Sequence, residues 1–191
     1  WNARQANALP FSWVAFAFLF RIGFTVTYGF LFLRYYNGDD TWMLHREIEE
    51  EFGQLMNDPQ MFFLEPFYFK ELFAHETPGT GFHYYLMDWE NWIICKPLAL
   101  LQPLTEGNYY CQAILFNLLP FWGNLLLYRY FITAYPDRRK TVYFILFLFP
   151  PLVFWWSGLR SDGLLLFFSA LLMAGASMLI KDKKTRGWIN L

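Results

Sequence analysis

Two neighbouring carboxylates, Asp39 and Asp40, stand just beyond a long apolar run, in the motif Asn37-Gly38-Asp39-Asp40-Thr41. A carboxylate within hydrogen-bond reach of an acceptor hydroxyl can serve as its general base. Two adjacent carboxylates with an imidazole a turn later, here His45, could also share a divalent cation. From the local sequence alone the motif reads first as a turn and helix start, with Asp40 or Thr41 as the N-cap. Further on, Arg160 and Asp162 occupy a short polar turn. Such an arginine can grip a phosphate bidentately while the aspartate orients it. Their structural alternative is a snorkelling arginine at a helix end, with Asp162 capping the next helix. His75, His83, Asp88 and Glu90 form a looser group whose spacing matches no metal motif, so they read as solvated loop residues.

These side chains need elements to hold them, and the composition says where those elements live. The chain is 56% hydrophobic and 16% charged, with 23 Phe, 12 Tyr and 9 Trp. Soluble domains carry about a quarter charged residues, so an all-α integral membrane protein is expected. Four spans are expected, at residues 9–33, 109–132, 141–156 and 164–180, within a single membrane domain over 1–191. Arg21 interrupts the first span near its middle, where a charge costs roughly 2.5–3.5 kcal/mol on insertion scales. It must face either a polar partner on a neighbouring helix or a polar substrate path. Pro120 and Pro150-Pro151 predict kinks in the second and third spans. Gly123 in the second, and Ala170, Ala174, Gly175, Ala176 and Ser177 in the fourth, suit close helix contact. The chain begins with Trp1 rather than Met and reads as part of a longer polypeptide without a cleavable signal peptide.

Residues 34–107 form a long first loop. Behind Asp40, the spacing of Leu44, Ile48, Phe52 and Leu55 predicts an amphipathic helix lying in the membrane interface, with Glu47, Glu49, Glu50 and Glu51 on its wet face. Residues 92–104 are apolar but too short to span, and read as an interfacial or re-entrant piece. The two cysteines, Cys95 and Cys111, make no recognisable framework. Charge is segregated: residues 34–107 hold 13 acids and four bases, while basic residues cluster at Arg138-Arg139-Lys140 and at Lys181, Lys183, Lys184 and Arg186. The positive-inside rule puts both clusters in the cytoplasm and the acidic loop outside, with both ends of the chain cytoplasmic.

The layout of a first span ending in an outside Asp39-Asp40, an interfacial helix behind it and a later kinked span reading Phe154-Trp155-Trp156-Ser157-Gly158-Leu159-Arg160-Ser161-Asp162-Gly163 resembles the GT-C class of membrane glycosyltransferases. The likeness is to the N-terminal part of bacterial relatives of the protein O-mannosyltransferase and aminoarabinose transferase type. The resemblance implies transfer of a sugar from a polyprenyl-phosphate donor to an acceptor hydroxyl on the extracytoplasmic face of the bacterial inner membrane. It implies Asp39 or Asp40 as base or metal-side carboxylate and Arg160 as the lipid-phosphate contact. The residues themselves add Asp162 and Arg21 as further substrate-binding candidates, and Asp39, Asp40 and His45 as the candidate set for a divalent metal ion. Expected partners are membrane lipids, the lipid-linked donor and other subunits of a membrane complex, with no nucleic acid. Two departures stand out: the family's acidic pair is often Asp-Glu, and its members have more than four spans. A different class of function, a non-catalytic accessory subunit of a larger membrane complex, predicts that the acidic region packs against another protein and that no cavity reaches Asp39.

Overall fold

The computed structural model describes residues 9–67 and 80–189, with the side chains of these except 80–87, 90 and 178–189. All regular structure among them is helical, so the fold class is all-α. In chain order the helices are α1 (Phe11–Tyr35), α2 (Asp39–Asn57), α3 (Pro59–Leu64), α4 (Thr80–Leu100), α5 (Gln102–Thr105), α6 (Tyr109–Ala134), α7 (Arg139–Tyr143), α8 (Pro150–Trp155) and α9 (Ser161–Ile189). A π-helical turn, Phe144–Leu148, joins α7 to the break before α8. Two helices, α1 and α6, are long and apolar enough to cross a membrane; the apolar part of α9, Ser161–Ser177, is shorter. The chain divides into two compact units, one made of Trp1–Tyr28, Ile114–Gly158 and Asp162–Leu191, the other of Gly29–Ala113 and Leu159–Ser161.

In the first unit, Phe121, Leu127 and Tyr128 of α6 pack with Ala17, Tyr143, Phe147, Leu166 and Ala170. At Gly123 an added Cβ would lie 2.9 Å from the Phe167 Cα. The backbones of α6 and α9 therefore approach as only glycine permits. Ala170 is buried, but Ala176 is exposed and a Cβ at Gly175 would meet nothing within 4 Å. Among the described residues the close contact thus forms at the start of α9, while Ala174 and Ser177 are half-buried and Gly175 and Ala176 lie open.

The stretch expected as a third span is not one helix. Phe149 adopts an extended conformation (φ −70°, ψ 109°) between the π turn and α8, as a residue preceding proline tends to do. Pro150 and Pro151 have no N–H, so the carbonyls they would have served are orphaned. The Leu146 carbonyl, four residues before Pro150, instead accepts from Asn124 Nδ2 at 2.9 Å. Beyond α8, the Ser157 carbonyl accepts from Asn117 Nδ2 at 2.8 Å and the Trp156 carbonyl from Arg21 Nη2. Arg21 Nε also donates to Asn117 Oδ1 at 2.6 Å. Polar residues of α1 and α6 therefore replace the donors that the broken segment lacks, as apolar surroundings require.

In the second unit, α1 ends on Asn37 (φ 52°), and the Gly38 N–H donates back to the Phe32 carbonyl at 2.9 Å. The left-handed Asn37 turns the chain out of the helix, and the Phe32 carbonyl, which also accepts from the Tyr36 N–H at 3.2 Å, is shared between the two amides. The N-cap of α2 is Gly38 (φ 99°), with no side-chain cap bond. The expected capping role of Asp40 or Thr41 is therefore replaced: both lie inside the helix, which starts at Asp39. Leu44 and Ile48 are buried as the periodicity required, and α2 packs on α4. The apolar stripe is covered by protein there. Residues 92–104 belong to the last two turns of α4, the Leu101 turn and α5, with Pro97 held inside α4. His75, and the side chains of His83 and Glu90, lie outside the described residues.

Candidate functional site

Asp40 and Arg160 come together in the second unit. Arg160 Nη2 stands 3.4 Å from Asp40 Oδ2, with the carboxylate 62% and the guanidinium 25% exposed. An ion pair this wet contributes about 0–1 kcal/mol, so its value lies in placing two opposite charges rather than in holding the fold. Both side chains line a pocket of about 260 Å³, closed by Met43, Leu44, Glu47, Asn91 and Ser161. Asp39 is exposed one position earlier and is not among the residues lining that pocket.

The pairing depends on Thr41. Its buried Oγ1 accepts from the Leu159 N–H at 3.2 Å and is hydrogen-bonded to the Tyr109 hydroxyl at 2.7 Å. The residue before Arg160 is thereby tied to the first turn of α2, beside Asp40. Tyr109 in turn stacks on Trp42 with ring centroids 4.0 Å apart, and Trp42 Nε1 donates to the Gly29 carbonyl at 3.0 Å. None of these contacts was expected from the sequence, which offered Thr41 only as an N-cap. A threonine, a tyrosine and a leucine amide separated by up to 118 residues leave no local signal.

His45 does not join the carboxylates. Its Nδ1 lies 2.8 Å from Gln112 Oε1, and Gln112 Nε2 donates to Gln102. Because the amide oxygen can only accept, Nδ1 carries a proton. The His45 ring also meets Trp42 and Tyr109 edge-on. Among the described residues no group of three or more His, Cys, Asp or Glu side chains is placed to hold a metal ion. The expected Asp39, Asp40 and His45 set is therefore not assembled as a metal site.

A second, larger pocket of about 420 Å³ lies between α2 and α4, lined by Glu47, Glu51, Glu65, Asp88, Trp92 and Cys95 among others. Glu47 and Glu51, expected on the wet face, are half-buried. Glu51 is met by Lys96, whose Nζ lies 2.7 Å from Glu51 Oε2 and 2.9 Å from Glu65 Oε2 and sits 4.4 Å over the Phe62 ring, while Glu47 Oε2 accepts from the Cys95 thiol at 3.8 Å. Burial pushes the Glu47, Glu51 and Asp88 carboxyls above their usual range, with neighbouring carboxylates adding to it. Burial likewise raises the Cys95 thiol, which keeps it protonated and unreactive. Both cysteines are free.

The remaining expected substrate residues belong to the first unit. Arg21 is 2% exposed and fully engaged with Asn117 and the Trp156 carbonyl, the arrangement of a structural tie. Asp162 sits half-buried in the first turn of α9, where a carboxylate complements the helix dipole. No protein-family model, no curated protein and no solved structure matches the chain.

Proposed function

We propose that this chain is the catalytic part of a membrane glycosyltransferase of the GT-C kind, using a polyprenyl-phosphate sugar and an acceptor hydroxyl at the outer face of a bacterial inner membrane. The observation that carries the reading is the Asp40–Arg160 pair at the mouth of a 260 Å³ pocket. A general base needs a carboxylate that is not tied to its own helix end, and Asp40 meets that requirement. Asp40 takes the acceptor proton as the hydroxyl oxygen attacks the sugar C1 with inversion. The C1–O bond to the donor breaks, and the lipid phosphate leaves with the bonding pair. That phosphate is a weak base, so it needs charge stabilisation rather than a proton, and Arg160 supplies it. Arg21, buried among its own partners, and Asp39, outside the pocket lining, have weaker claims than Asp40 and Arg160.

The membrane layout that goes with this reading has α1, α6, the broken segment from α7 to α8, and α9 as four crossings. It puts the basic clusters and both ends of the chain in the cytoplasm and α2 to α5 outside. What supports catalysis is that Asp40 lines a pocket; the absence of Asp39 from that lining is what the accessory-subunit reading expects, so the choice between the two falls to the transfer assay. The test is transfer by the full chain in proteoliposomes supplied with a polyprenyl-phosphate sugar. Asp40→Asn is expected to lower turnover about 10²–10⁴-fold, the usual weight of a general base, with Asp39→Asn much milder. Full activity in folded Asp40→Asn sinks the catalytic assignment.

A further inference from the structure

A separate groove opens in the first unit, where the first turns of α1 run beside α7 and the π turn. Its volume is about 420 Å³, within the range of roughly 300–1,000 Å³ typical of ligand pockets. Trp13 and Phe16 form one wall, Phe144 and Leu148 the other, and Ser12 and Lys140 line its polar part. Its floor is fixed: the Tyr143 hydroxyl donates to the Trp13 carbonyl at 2.8 Å, and the two rings lie 4.8 Å apart. Phe16 is 56% and Phe144 49% exposed, so the walls offer bare aromatic surface to whatever enters.

Two facts select the occupant. The groove flanks the start of α1, a helix long and apolar enough to cross a membrane, so its aromatic walls stand where acyl chains would lie. Lys140 ends the basic run Arg138-Arg139-Lys140, and among the described residues no carboxylate pairs with it. A cation at the rim of an apolar slot at a membrane boundary matches a molecule with an anionic head and hydrocarbon tails. We propose that this groove is a binding site for an anionic phospholipid, its phosphate on Lys140 and an acyl chain between Phe16 and Phe144. The site is independent of sugar transfer and rests only on residence in a membrane.

The test is native mass spectrometry of the full chain released from nanodiscs containing equal phosphatidylglycerol and phosphatidylcholine. The wild type is expected to retain one phosphatidylglycerol in preference. Lys140→Gln should lower that preference about fivefold, the weight of one basic contact with an anionic surface, while Lys140→Arg keeps it. Ser12→Trp, which fills the groove and leaves the charge, should lose the lipid. Arg129→Gln, away from this groove, should change nothing. Equal retention of the two lipids, an unchanged preference in Lys140→Gln, or displacement of the lipid by inorganic phosphate overturns the inference. Alkaline carbonate extraction separates the two levels. A chain that stays in washed membranes without lipid preference loses this inference alone; one that is released loses the membrane reading with it.

Discussion

Thr41 has one hydroxyl and two partners, the Leu159 amide and the Tyr109 phenol. Replacing it with the isosteric valine keeps the volume and takes the hydroxyl away from the buried Leu159 amide. A stranded buried polar group costs about 1–3 kcal/mol, so Thr41→Val should lower the melting temperature measurably. It should also reduce transfer more than that loss of fold explains, because Arg160 is no longer held against Asp40. Measuring turnover at a temperature where both proteins remain folded separates the two effects. Wild-type turnover under that condition would show that Thr41 does not position Arg160. At this scale the sequence singled out Asp40 and Arg160, which the structure sets 3.4 Å apart, as separate candidates. It could not distinguish a capping aspartate from an uncapped one, because that choice was made by the φ angles of Asn37 and Gly38. It offered Thr41 only as an N-cap and did not single out Lys96, because their partners lie far along the chain.

Among the elements, α2 and α4 hold several half-buried carboxyls around one pocket, and their raised affinity for protons has a sign. The folded chain binds protons at Glu47, Glu51 and Asp88 more tightly than the unfolded chain does. Their contribution is thus fully present below the unfolded carboxyl pKa and is lost as pH rises through the raised folded values. Thermal melts should therefore show higher stability near about pH 5 than near about pH 8, and Glu47→Gln should flatten that slope by stabilising the alkaline side. A slope unchanged by Glu47→Gln would remove this carboxyl from the account. The broken segment makes the second prediction at this scale. Asn124→Leu withdraws the donor from the Leu146 carbonyl and should cost about 1–3 kcal/mol, read as an earlier melt in detergent. The 3.6-residue periodicity found α2, and apolar length found α1 and α6. Pro150-Pro151 announced a disturbance, yet reading it as a kink missed the break at Phe149. Asn117 and Asn124, two turns apart on one helix, were the overlooked sign that carbonyls elsewhere lacked partners.

For the whole molecule, composition was enough to give the helical class, because so apolar a chain with long uninterrupted runs has few other solutions. The proposed orientation rests on segregated charge alone. Cys111 is exposed near the start of α6, while Cys95 is buried with its thiol pushed up. A membrane-impermeant maleimide should label intact cells once per chain, lose that label in Cys111→Ser, and reach Cys95 only after denaturation. Labelling that appears only after lysis would invert the proposed orientation. The chain order of the broken segment and its donors has a consequence for biosynthesis. Asn124 precedes Leu146 by 22 residues and Arg21 precedes Trp156 by 135. At about 5–20 residues per second, each donor leaves the ribosome seconds before the carbonyl that needs it. A gene rearranged to encode residues 139–189 ahead of α1 would ask the Pro150-Pro151 segment to enter a bilayer with no one yet there to receive it, and such a nascent chain should be handed to quality-control proteases.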